Sequence, residues 1–511
     1  MFDRRDPNRI INFRPLLFAA VGLVLGIAAF IGYGTLRLKG GPLSLVLLIF
    51  FSVAAAALCC FAVIRRKSAL FILLFAFLIG FARMLIIPTD SFENGEYTVI
   101  GTVVSDNDGK EGRLILSNVT VDGVKLHHRM RMNLKNASVP EVGDVIETRC
   151  SVRNPSMRFG SYDERTRLMA SGISSVASCS EYKVIRKGAV PLTKALNDVR
   201  RYLGARIEYL FDDNADIVCG FLLGDRSGVE EEDYEDFVST GTSHLLSLSG
   251  FHVGILASVL FFLLPKCFPW LRFTIVGLFL LFYCALTAFS PSLVRASIMC
   301  GCLMLADVTE ERRDALSSLS LAALIILIVQ PYKIFSVGFR LSFAATLGIL
   351  FLTSSGIPAF KSRIVSKVVS AALITIGATA ATALISAQYF NTFQTYGIIA
   401  NVIAVPVFSL AVTLSFAVLL IGLIIPPAAH LLAFVPDKLI TGGMIMLRAI
   451  SSLPGAQISV FSPSTLSGVL MLVVMFCISQ YVLRPLNKRI RLTMLAFLLF
   501  TASVIADIIR A

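Results

Sequence analysis

The stretch "LFILLFAFLIGFARMLIIPTDSFENGEYTVIGTVVS" (Leu70–Ser105) carries both halves of the fold. Through Ile87 it is an apolar run broken only by Arg83, long enough to cross a hydrocarbon core of about 30 Å. Pro88 ends that run. From Glu96 onward apolar and polar residues alternate, and the period drops to that of a strand. A membrane helix therefore leads straight into β-structure.

Working outward, comparable apolar runs lie at 16–36, 43–64, 69–87, 244–264, 271–289, 292–308, 315–330, 338–356, 369–388, 397–423, 465–483 and 491–508. Over 511 residues the chain is 56% hydrophobic and 15% charged, which excludes an ordinary soluble protein. The predicted class is a polytopic α-helical membrane protein of about 11–12 spans with an inserted extracytoplasmic small β-barrel. The division is 1–89, a three-span segment; 90–190, the barrel; and 191–511, the remaining membrane domain. Asp437, Lys438 and Arg448 interrupt 428–452, which is predicted to lie in the interface as an amphipathic helix.

Arg4, Arg5, Arg9 and Arg14 precede a first span without a small-residue cleavage site, so no cleavable signal peptide is expected. The same arginines and "RRK" (65–67) place the N-terminus in the cytoplasm and 90–190 outside. Lys266 and Arg272, "EERR" (310–313), Lys361, Arg363 and Lys367, and "RPLNKRIR" (484–491) are expected inside. The net charge of +13 fits either positive-inside loops or a polyanionic ligand.

Within 90–190, "EYTVIGTVVS", "RLILSNVTV", "VKLHHRMRMNL", "GDVIETRCSV" and "SSVASCSEYKVI" read as five strands, with Asp122-Gly123 as a hairpin turn. That count suits a small barrel of the OB type. In the third strand Val124, Leu126, Met130, Met132 and Leu134 share one face. Lys125, His127, Arg129 and Arg131 share the other: a solvated face, or a stripe on the surface where OB barrels hold oligonucleotides. Two of the ten cysteines, Cys150 and Cys179, fall in this domain and are candidates for a disulfide in an oxidising space.

"PLTKALNDVRRYLGARIEYL" (191–210) has apolar residues at helical spacing among basic ones, a surface amphipathic helix. "ADIVCGFLLGDRSG" (215–228) is too short to span and fits a re-entrant half-helix.

Several polar groups fall at membrane depth: Asp225 and Arg226; His244, Ser247, Ser249 and His252; Arg295; and Arg340. An ionisable group at the bilayer centre costs about 2.5–3.5 kcal/mol on insertion scales, so each is a functional candidate unless it pairs to brace helices. Two of the five histidines, His244 and His252, are eight residues apart, about 80° around a helix. A metal site lacks an adjacent third ligand, so no metal or cofactor is expected. A hydrolase built on Ser249 lacks the G-x-S-x-G elbow, and both histidines share the serine's helix. A polar wall along a watery path accounts for the hydroxyl and imidazole groups better.

The run "FLLGDRSGVEEEDYEDFVSTGTSHLLSLSGFHVGIL" resembles the signature of the ComEC-type competence proteins, channels for DNA internalisation in transformable bacteria. "SPSLVRASIM", "RRDALSSLSLAALIILIVQPYKIFSVGFRLSFAATLGIL" and "FNTFQTYGIIANVIAVPVFS" are similar to its later blocks, in order, and "NPSMRFGSYDERTRLMASGI" to the end of its OB-like domain. The resemblance implies that Asp225, Arg226, His244, Ser249, His252, Arg295, Arg340, Ser342 and Asn401 line or brace a passage for single-stranded DNA. It also implies partners: an extracytoplasmic DNA receptor, a cytoplasmic helicase-like motor, and membrane lipid around the spans. Many members continue into a metallo-β-lactamase-like domain. This chain has no H-x-H-x-D-H pattern, so a non-enzymatic form with a separate nuclease is expected. The alternative is a transporter or membrane scaffold for another anion on the same fold.

Overall fold

The first two helices, α1 (Pro15–Leu38) and α2 (Ser68–Ile86), touch backbone to backbone. A Cβ on Gly22, Gly26 or Gly80 would fall on the carbonyl oxygen of Leu73, Phe77 or Leu23, so only glycine permits this crossing. The computed structural model describes residues 14–38, 68–88, 90, 92–107, 112–135, 140–155, 164–188, 191–264, 268–354, 363–482 and 486–510. They divide into one unit of Pro15–Ala205 with Ser320–Ser336, and another of Arg14, Arg206–Leu319 and Val337–Ala511. The expected span at 43–64 lies outside the described residues.

In the first unit the barrel strands are β1 (Gly95–Asn107), β2 (Arg113–Val121), β3 (Val124–Lys125), β4 (Arg129–Leu134), β5 (Val145–Arg153), β6 (Ile173–Cys179) and β7 (Lys183–Arg186). Pairing runs β1-β2-β4-β6-β5 and returns to β1, a closed five-stranded cylinder in which only β4 and β6 run parallel. Val99, Leu114, Leu116, Met130, Met132, Ile146 and Val152 fill it. Asp122 and Gly123 both take positive φ, as the two-residue turn requires. A helix, α3 (Glu164–Ala170), lies on the outer surface, its Leu168 packed on Val176 and Ile115.

Two strands differ from the sequence pattern. The third breaks after Lys125, because the Asp90 carboxylate takes the backbone N–H groups of His127 and His128 at 3.0 and 3.1 Å. Val124 is consequently exposed rather than in the core. The fifth divides into β6 and β7, the latter paired with β5.

Ser151 stands opposite Ser178 and Val152 opposite Ala177, so the next position of this register sets Cys150 opposite Cys179. Both are buried free thiols in the structure. Burial, with the neighbouring Cys179, pushes the Cys150 thiol up to about 12. The expected result is a bond made in an oxidising compartment. In denaturant without reductant both sulfurs should resist alkylation, and after reduction both should take the label. Alkylation of both before reduction would dismiss it.

The remaining helices are α4 (Pro191–Leu210), α5 (Ala215–Leu223), α6 (Glu231–Ser239), α7 (Ser243–Leu246), α8 (Gly250–Leu263), α9 (Pro269–Leu286), α10 (Pro291–Val308) and α11 (Ala315–Val329). After a 3-10 turn at Pro331–Phe335 come α12 (Val337–Thr353), α13 (Arg363–Phe390), α14 (Gly397–Gly422), α15 (Pro426–Ser451), α16 (Thr465–Ile478) and α17 (Leu486–Arg510). Among the described residues seven helices are long and apolar enough to cross a membrane: α2, α9, α10, α13, α14, α15 and α17. α8, α11, α12 and α16 are apolar but shorter, and the Pro15–Ile31 part of α1 is apolar as well. The chain is a polytopic α-helical membrane protein with an inserted small barrel.

One expectation is corrected. The segment read as interfacial, 428–452, is the long helix α15, apolar enough to cross. Each of its charges has a partner. Asp437 is buried and accepts from Asn214 Nδ2 at 2.8 Å, Lys438 reaches Asp213 and Asp437, and Arg448 pairs with Asp233 at 2.7 Å. Crossing also follows from connectivity. β8 (Thr392–Gln394) pairs antiparallel with β9 (Gln457–Ser459), so the two lie on one side of the bilayer. Only α14 and α15 come between them, so if α14 crosses, α15 must cross back.

Candidate functional site: a buried arginine at the head of a membrane helix

The polar residues of the membrane domain are set by a half-helix and the elements around it. α5 is nine residues long and ends at Gly224, whose φ of +70° turns the chain back. Its Phe221 ring meets those of Phe237 and Phe408 at 6.5 and 5.6 Å, and Tyr283 Oη donates to Leu222 O at 2.8 Å. In the turn that follows, Asp225 Oδ1 accepts from the backbone N–H and the hydroxyl of Ser227 at 3.2 and 2.7 Å. Arg226 is exposed.

Ser247 closes the short α7 by donating to His244 O at 3.0 Å, and the His244 side chain is exposed. Ser249 precedes the first turn of α8. Its backbone N–H donates to His252 Nδ1 at 3.2 Å. A backbone amide can only donate, so Nδ1 is the acceptor and the neutral ring carries its proton on Nε2. That nitrogen is buried and has no partner among the described residues, with His252 only 1% exposed. Ser249 Oγ is also 3.2 Å from Nδ1, but the backbone N–H competes for the same lone pair.

Against this turn lies Arg295 of α10. A Cβ on Gly250 would sit 2.9 Å from Arg295 Nη2, so glycine is what admits the guanidinium. Arg295 is 8% exposed. Its Nε donates to Ser342 Oγ at 2.8 Å and Nη1 to Thr346 Oγ1 at 2.7 Å, both on α12, and it lies 6.0 Å from the Phe343 ring centroid. No described carboxylate contacts it. A full positive charge is thus held by two hydroxyls and an aromatic face, beside the positive end of a helix dipole.

The structure gathers Ser249, His252, Arg295 and Ser342 around the head of α8. Asn401 is buried elsewhere on α14, donating to Gly397 O at 2.7 Å and reaching Gly241 O at 3.4 Å, with its Oδ1 unpartnered among the described residues. Arg340 lies 5.8 Å from the Tyr389 ring. Thr346 was missed by sequence reasoning, although it follows Ser342 by one helical turn.

On the barrel, Lys125, His127 and Arg129 are exposed and Arg131 is half-buried. The His127 and His128 imidazoles turn to Asp90, Nδ1 to carboxylate at 3.2 and 3.1 Å, and Ser174 Oγ adds a bond at 2.9 Å. Burial would raise the Asp90 carboxyl, but these donors outweigh it and hold it below its usual value. His127 is therefore engaged within the barrel rather than standing free on the stripe.

A polytopic membrane domain with a half-helix and a buried arginine, joined in one chain to a small closed barrel, is the class that the fold and the site define. The competence protein family matches residues 221–485, and the chain belongs to it. It is 28% identical to ComE operon protein 3 of Bacillus subtilis over 253 residues, 47% of this chain and 30% of that protein. It is 24% identical to Recombination protein 2 of Haemophilus influenzae over 315 residues, 58% of this chain and 39% of that one. An uncharacterized protein of Aquifex aeolicus is 29% identical over 282 residues, 53% of this chain and 62% of its own length. The chain thus spans less than half the length of the first two relatives. No solved structure matches.

Proposed function

We propose that this chain passes single-stranded DNA through the inner membrane into the cytoplasm during natural transformation. The observation that carries the reading is Arg295, a buried cation with hydroxyl partners and no described counter-ion. A phosphate moving past would supply the missing charge, and neutral hydroxyls would let it leave again. The Nε2–H of His252 is a further donor suited to a phosphate oxygen.

Contacts at the helix ends support a cytoplasmic N-terminus and an extracytoplasmic barrel. Arg14 binds Asp314 at 2.8 Å and lies 5.0 Å from the Tyr481 ring, contacts that suit a common side for Arg14, the 310–313 loop and the residues just after α16. Counting α15 as a crossing agrees with the positive-inside expectation for Lys488, Arg489 and Arg491. The reading assigns the chain no catalytic step. The receptor, the motor and any nuclease would be other proteins.

The test is a deletion strain complemented with this chain and supplied with labelled DNA. Cytoplasmic single strands should reappear with complementation. Protein at normal membrane level without import would remove the reading.

A further inference from the structure

The outer surface of the barrel beneath α3 carries a charge arrangement that strand alternation does not reveal. Arg131 on β4 stands opposite Val176 on β6, and Val176 opposite Arg153 on β5, so the two arginines share one row with β6 between them. Ile115 of β2 pairs with Arg131, and Arg113 lies two residues along on the same face. α3 closes over the row through Leu168 and brings Glu164 in its first turn and Arg167 in its last.

Arg153 grips the Glu164 carboxylate with two parallel bonds, Nη2 to Oε1 at 3.0 Å and Nη1 to Oε2 at 3.3 Å. The Arg153 bond, with further attraction from Arg131 and Arg167, holds Glu164 below the usual carboxylate range. Burial, then repulsion from Arg113 and Arg167, pushes the Arg131 guanidinium down. Three guanidinium groups, those of Arg153, Arg131 and Arg167, therefore act on the Glu164 carboxylate, with Arg113 beside Arg131, and Arg131 Nε is buried without an acceptor among the described residues.

We infer that this row is a phosphate cradle in which Glu164 occupies the place of a nucleic-acid backbone phosphate. Arginine recognises a carboxylate and a phosphodiester in the same two-oxygen manner. A phosphate entering the row replaces Glu164 on Arg153 at little loss, and its additional lone pairs can also reach Arg131 Nε. Glu164 is then a resident competitor, which keeps the grip on a strand weak enough for it to move on. The inference rests on the reading that the barrel meets DNA, and it names residues and a mode of regulation that the reading does not.

The experiment uses the full-length chain in nanodiscs of zwitterionic lipid and a fluorescent oligo-dT, with anisotropy followed against salt. Glu164→Gln should tighten binding by about five- to tenfold, since the competitor's charge is gone. Arg131→Gln with Arg153→Gln should weaken it by about tenfold or more and lower the salt slope by about two. Arg153→Lys, which keeps the charge but not the fork, should fall between wild type and Arg153→Gln. Thermal melts of each variant separate a loosened α3 from a lost contact: if Glu164→Gln merely loosened the helix, melting would drop and affinity would not rise. Unchanged or weaker binding by a stable Glu164→Gln protein overturns the cradle. So does a salt slope that follows Lys125 and Arg129 instead, while import still depends on the chain. If the wild-type protein binds no oligo-dT at any salt, the DNA reading of the barrel fails with it.

Discussion

Arg295→Ala should abolish import of labelled single strands into the cytoplasm while leaving DNA bound at the cell surface at its wild-type level. This is the largest effect expected of any single substitution here, because phosphates crossing a low-dielectric layer need compensating charge. In the proposed passage Arg295 would supply it, with Ser342 and Thr346 fixing the guanidinium plane. Arg295→Lys discriminates between two ways of working. If charge suffices, the lysine variant retains much of the import; if a forked phosphate contact is needed, it retains little. His252→Ala should reduce import more mildly, since a neutral imidazole contributes one donor rather than a full charge. The measurement is cytoplasmic label per unit of membrane-inserted protein. Normal import by a stably inserted Arg295→Ala protein would assign Arg295 to helix bracing.

Gly348→Ala should destabilise the membrane domain almost as strongly as a core cavity would. A Cβ at Gly348 of α12 would coincide with the carbonyl oxygen of Gly377 on α13, and one at Gly377 would lie 2.9 Å from the Gly348 carbonyl oxygen. Neither obstacle is a side chain that can swing away, so the helices must separate and forfeit the contacts that include Ala344, Phe351, Ala381 and Met475. A loss near the upper end of overpacking costs, about 3 kcal/mol, is expected. Gly277→Ala is the matched control, since its Cβ would meet nothing within 4 Å. Thermal denaturation in detergent should show a large downward shift for the first and none for the second. Equal behaviour of the two would mean that α12 and α13 do not meet at these glycines.

Much of the fold was legible because two periodicities dominate the chain. Apolar runs mark the spans, and alternation from Glu96 marks the barrel, whose Met130, Met132 and Leu134 are in its core as the pattern requires. What failed did so for identifiable reasons. Asp437, Lys438 and Arg448 look expensive for a spanning helix until Asn214, Asp213 and Asp233 are brought to them, and those partners lie more than two hundred residues away. The break after Lys125 comes from Asp90, which sequence reading leaves in a linker. In the candidate site, Arg295 and Ser342 were readable as polar residues in apolar helices. Their bond to one another was not, because no local spacing encodes a contact between α10 and α12. The arginine row under α3 was hidden for the same reason: Arg113, Arg131 and Arg153 become neighbours only through strand order.

The closure of the barrel bears on how the protein is made. Gly95 pairs with Val152, and Arg131 with Val176 in the parallel ladder, so the cylinder is fastened by partners far apart in the chain. Contacts of that kind form slowly compared with helices, which need only their own neighbours. During biosynthesis the segment between α2 and α4 should therefore linger as an open polypeptide beside the bilayer while later spans insert. Its two thiols are then separately reachable, and an oxidant acting too early would meet Cys150 before Cys179 has been delivered opposite it. Assembly of this membrane protein should then be paced by its small barrel rather than by its helices.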